Sequence, residues 1–161
     1  MGDVEKMRAL ARSLAEAQFV ARFPWDFLAV LVTGDDRTLE YSTLMAARAA
    51  PTGSGFAEVL PLLKTTATTA TAATLVIGRS RGCDVVLSDA SVSKVHARMG
   101  LSRGRVVTVE DVGSHNGTFV RGEPIPARTA VRVQCGELLR FGSLYAVLLD
   151  AVQLHDQLMR G

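Results

Sequence analysis

The sequence predicts a mainly β fold, a sandwich of about 10–11 short strands, with helical segments at both ends. Three observations predict it. From Leu75 onward, short β-branched runs alternate with Gly, Ser and Asp turns. A hydrophobic fraction of 48% over 161 residues supports a buried core. The two ends of the chain return to helical spacing of apolar residues.

The elements follow in order. Asp3 to Arg22 reads as one helix, with Met7, Leu10, Leu14 and Ala17 or Gln18 on one face and charges elsewhere. Pro24 ends it. Phe27 to Thr33 is an apolar run of strand length, and Gly34-Asp35-Asp36 is a turn signal. Thr38 to Ala47 fits either a strand or a short helix. Pro51 to Gly55 marks a boundary, and it lacks the Lys-Ser/Thr of a phosphate loop. Phe56 to Leu63 reads as the first strand of the main domain. Lys64 to Thr74 is a Thr/Ala tract read as a loop, whose threonines are candidate kinase substrates beside the plainer reading of a linker.

The remaining strands are Thr74–Gly78, Val85–Leu87, Val95–Leu101, Val106–Asp111, Thr118–Val120, Ala130–Val133, Leu138–Phe141 and Tyr145–Leu149. Ala151 to Arg160 is a helix with Val152, Leu154 and Leu158 at helical spacing. The chain thus divides into an N-terminal extension (1–52), a β-sandwich (56–150) and a C-terminal helix (151–161).

Composition narrows the function. A net charge of +2 is too balanced for a nucleic-acid-tracking surface. No apolar run reaches the roughly 20 residues of a membrane span, and the first residues lack a signal-peptide core. Cys83 and Cys135 read as reduced thiols in a soluble cytoplasmic protein. No His/Cys cluster has metal spacing, so no metal or cofactor is expected. Asp111, Ser114 and His115 sit too close in one turn to align as nucleophile, base and orienter, which argues against an enzyme.

Three motifs carry the remaining chemistry. Gly78-Arg79 ends one strand, Ser93-Lys94-Val95-His96 precedes another, and Asn116-Gly117-Thr118 closes a polar turn. A phosphothreonine reader needs a guanidinium, a hydroxyl and exposed N–H groups on rigid loops, and these motifs supply them. Singly, each is an edge charge, a turn serine or a hairpin turn.

Together, the runs VIGRS, RGCDVVLSDASVSKVHARM and DVGSHNGTFVRGEPI resemble the forkhead-associated (FHA) domain, a β-sandwich that binds phosphothreonine peptides. The resemblance covers about Phe56 to Asp150. It implies that Arg79 and Ser93 contact phosphate, that Lys94 lies near it, and that His115 lines the pocket or holds a loop. It implies that Asn116 bonds the peptide backbone, while Gly78, His96, Gly117 and Thr118 shape the loops. The partner so implied is a phosphothreonine-containing protein, a Ser/Thr kinase or a kinase substrate. The module would act as a signalling adaptor. A phospho-independent interaction or oligomerisation surface, built from the N-terminal helix and the FLAVLVT run, is the alternative.

Overall fold

The polar turns that punctuate residues 74–160 separate nine short strands, which assemble with two earlier ones into two sheets among the described residues. A computed structural model describes residues 4–31, 56–63 and 74–160. The expected turn at 34–36, the element at 38–47, the boundary at 51–55 and most of the Thr/Ala tract lie outside the described residues.

The first sheet has the order β2 (Phe56–Pro61), β1 (Phe27–Leu31), β11 (Leu144–Leu149), β10 (Leu138–Phe141), β7 (Thr118–Val120), β8 (Glu123–Pro124). The second runs β4 (Val85–Val86), β3 (Thr74–Gly78), β5 (Ala97–Ser102), β6 (Arg105–Asp111), β9 (Val131–Arg132). All described strand pairs are antiparallel except β3 with β4. Alternate side chains from both sheets form one core that includes Leu28, Leu75, Ile77, Met99, Val109, Leu139, Phe141 and Leu148.

The other face of the first sheet is covered by helices, and this explains the unbroken apolar run FLAVL. Leu28 and Val30 point into the sandwich, while Phe27 and Ala29 point to the helices. Strand β1 pairs with β2 on one edge and β11 on the other. The N-terminal extension therefore contributes an internal strand of the sandwich.

The single N-terminal helix of the sequence reading is two helices, α1 (Val4–Ser13) and α2 (Glu16–Arg22). Ala15 is extended at ψ 153°, and the Gln18 side chain accepts from its N–H at 3.1 Å, so α2 starts with its own cap. The break resets the phase. Ala17 and Gln18 are exposed, and Ala11 and Phe19 are the buried residues.

Helix α3 (Ala151–Arg160) opens with a reciprocal cap. Asp150 accepts from Gln153 N at 2.8 Å, and Asp150 N donates to the Gln153 side chain at 3.1 Å. Leu154, His155 and Leu158 are buried, whereas Val152 is exposed, contrary to the sequence reading. His155 Nε2 donates to Ala11 O at 3.1 Å and so joins α3 to the end of α1. No described helix is long and apolar enough to cross a membrane.

Candidate functional site

Two close backbone approaches bring the loops together. Gly78, at the end of β3, lies so near the 93–95 backbone that a Cβ there would sit 2.2 Å from Lys94 O. Only glycine tolerates that approach. A Cβ on Gly142, between β10 and β11, would sit 2.4 Å from Ser91 O. Residues 91–95 are thus pressed between two glycines.

The predicted contact residues meet on this segment. Arg79 N donates to Ser93 O at 2.9 Å, and its side-chain Nε donates to Val92 O at 3.0 Å. The Ser93 hydroxyl accepts from His115 N at 3.1 Å, which leaves its own O–H to donate. Asn116 Nδ2 donates to Ser91 O at 2.8 Å, which leaves a second N–H and the carbonyl oxygen. Arg79, Asn116, His115 and Lys94 are exposed, and Ser93 is half-buried. The Lys94 carbonyl accepts from Ser80 N at 3.1 Å and from the Cys83 thiol at 3.2 Å.

His96 is fully buried behind these loops. It precedes β5, which begins at Ala97, two residues later than the sequence suggested. Its Nδ1 accepts from Ser93 N at 3.0 Å, so the ring proton is on Nε2, which donates to Gly117 O at 2.9 Å. Burial lowers its pKa against the smaller opposing influence of Gly117 O and of Asp111, whose carboxylate is 3.9 Å away.

Asp111 organises the polar turn. One oxygen accepts from Gly113 N at 2.8 Å and Ser114 N at 2.9 Å. The other accepts from Ser114 Oγ at 2.5 Å and Thr118 Oγ1 at 2.6 Å. Burial pushes its pKa up, but these four bonds outweigh it and hold the carboxyl below its ordinary value. Ser114 Oγ also accepts from Gly117 N at 2.9 Å, and Gly117 takes φ +85°. The Asp111–Ser114 pair is thereby tied into the loop's own frame, while His115 faces outward.

Sequence reasoning missed three of these supports: Ser91, the structural role of Asp111, and Gly142. Asp111-Val112-Gly113-Ser114 was the available signal, because an Asp two and three residues before N–H groups closes a turn on itself. Ser91 carried none, since its partners Asn116 and Ser143 lie far along the chain. The two-residue strand β8 was likewise too short to show a pattern.

Residues 75–142 match the family model of the FHA domain, a narrower span than the sequence resemblance suggested. The chain is 38% identical over 76 residues to an oxoglutarate dehydrogenase inhibitor from Corynebacterium glutamicum, covering 47% of this chain and 50% of that one. It is 41% identical over 68 residues to the FHA domain-containing protein FhaB of Mycobacterium tuberculosis, covering 42% of each. The chain spans about half or less of the length of the curated relatives it matches.

Among solved structures, the FHA domain of a Chlamydia trachomatis protein superposes with a TM-score of 0.53 at 23% identity, covering 78% of this chain and 96% of that one. A structure from work on phosphothreonine-dependent FHA domain interactions gives 0.50 at 20% identity, covering 77% and 94%. These two share the fold. Residues 75–142 of this chain carry the match to the FHA domain model, and strands outside that span complete the sandwich.

Proposed function

We propose that this protein is a phosphothreonine-dependent interaction module that binds its partner through the loops carrying Arg79, Ser93, Lys94, His115 and Asn116. The observation that carries the reading is the attachment of Arg79, His115 and Asn116 to one short segment, residues 91–93, within a domain of the FHA family. Arg79 and Lys94 supply positive charge for the phosphate, and Ser93 a hydroxyl donor. Asn116 holds the peptide main chain, and Gly78, His96, Gly117 and Thr118 keep the loops in shape. The reading loops lie within 56–150; β1 completes the sheet behind them, and α1, α2 and α3 buttress it. The module acts by binding, not by catalysis. Its partner is a phosphothreonine-bearing Ser/Thr kinase or kinase substrate, met in the cytoplasm.

A phospho-independent dimer face gains no support from FLAVL, the described part of the FLAVLVT run. Both edges of β1 are hydrogen-bonded, and its two faces are buried.

An oriented phosphothreonine peptide library, followed by titration of the selected peptide, tests the proposal. The phosphorylated peptide binds and its unphosphorylated form does not. Arg79→Ala weakens binding about tenfold or more, since a charge-assisted bond contributes about 1.5–3 kcal/mol. Binding weakens below about pH 6 as the phosphate takes up a proton. Equal affinity for both peptides would refute the assignment.

A further inference from the structure

We infer that the proposed site has a second anionic subsite at Arg81, and that its ligand is a phosphothreonine peptide bearing further negative charge close to the phosphothreonine. This rests on the phosphothreonine reading above. Arg81 lies in the exposed turn between β3 and β4. Residues from both ends of that turn, Ser80 and Cys83, donate to one acceptor, the carbonyl of Lys94. Cys83 N also donates to Ser80 O at 3.1 Å, which closes the turn. Arg81 is therefore held on a turn seated against the backbone of Lys94, the neighbour of Ser93, and two residues along from Arg79.

The charge balance gives the ligand its chemistry. Arg79, Arg81 and Lys94 place three cations on two touching segments of a chain whose whole net charge is +2. The two acids nearest in sequence, Asp84 and Asp89, both accept hydrogen bonds from neighbouring groups. Asp84 accepts from Val76 N at 2.9 Å, and Asp89 accepts from Ser91 N at 2.8 Å and Ser91 Oγ at 2.5 Å. One phosphothreonine carries about −1.5 to −2 charge, which Arg79 and Lys94 match. Arg81 then faces the flank of the bound peptide, where an Asp, a Glu or a second phosphoryl group pairs with it.

The test compares four peptides built on one phosphothreonine sequence: neutral flanks, acidic residues N-terminal to it, acidic residues C-terminal to it, and a second phosphorylated residue beside it. Affinities are measured for the wild-type chain and for Arg81→Gln, Arg81→Lys and Arg12→Gln, the last removing one charge from the helical cap. Wild type prefers at least one added-charge peptide by about two- to fivefold, the range of exposed ion pairs, and the preference shrinks with added salt. Arg81→Gln loses that preference but keeps the neutral-flank affinity. Arg81→Lys and Arg12→Gln retain it. The relative strength of the acidic and doubly phosphorylated peptides tells which anion the subsite takes. The subsite is overturned if neutral-flank binding is intact and added charge brings no gain, or if Arg12→Gln removes the gain as well. Failure of every phosphothreonine peptide would instead overturn the reader assignment, and the subsite with it.

Discussion

His96 shows how one residue sets the behaviour of the loop cluster around residues 91–95. Its Nδ1 accepts a backbone N–H, so a proton there would face another proton. Burial adds to this and depresses the folded-state pKa. The sign follows from linkage. The unfolded imidazole, near its ordinary value of about 6.5, binds a proton before the folded one does. The His96 contribution is complete above that value and is lost as pH falls through the folded one, with a slope of at most about 1.4 kcal/mol per pH unit for one proton. Asp111 contributes a second decline. Its stabilisation is present above about pH 4 and is lost as pH falls through its lowered folded value. Denaturant midpoints measured from pH 7.5 to 2.5 should show both, and His96→Gln should remove the upper one. A midpoint flat from pH 7.5 to 5 would show that the neutral ring is not required. The sequence singled out His96 as a candidate loop-shaping residue, and the structure buries it between Ser93 and Gly117. Its tautomer was not legible in the sequence, because that depends on Ser93 and Gly117 approaching from opposite sides.

At the level of elements, strands were read well where patterns were long and badly where partners were remote. Thr74–Gly78, Thr118–Val120 and Leu138–Phe141 run as expected. Local alternation and flanking turns are enough to fix such strands. The N-terminal helix failed at Leu14-Ala15, where no Pro or Gly warns of a break. The break serves packing: it presents Ala11 O to His155 and seats Phe19 in the cluster beneath α3. Helix α3 is therefore a clamp on both N-terminal helices, and Leu154, fully buried, is its central contact. Leu154→Ala should cost about 2–5 kcal/mol, with its size set by how far the helices can close the gap. Chemical denaturation measures it. A loss below about 1 kcal/mol would mean that α3 packs loosely and does not buttress the sheet.

The molecule as a whole does not divide where its composition does. A linker-like stretch at 51–55 suggested an appendage followed by a domain, but β1 lies between β2 and β11. Sequence patterns carry no information on which strands become neighbours when the pairing partners lie over a hundred residues apart, as Phe27 and Leu149 do. A chain starting at Phe56 lacks an internal strand, leaves β2 without its β1 partner and uncovers Val59 and Leu149. It should lose cooperative unfolding and near-ultraviolet dichroism. A chain starting at Pro24 keeps β1 and removes only α1 and α2, so it should fold with a loss on the order of 5 kcal/mol from uncovered apolar surface. Full-length stability in the Phe56 chain would mean that the first sheet tolerates the loss of β1.

The two glycines that press on residues 91–95 bear on the thermodynamics of recognition. Loops held this closely in the free protein have already given up much of their conformational freedom, so the proposed phosphopeptide would need to freeze only its own backbone and side chains. Mutations in this framework, as distinct from the contact residues, should then weaken association chiefly through a less favourable entropy.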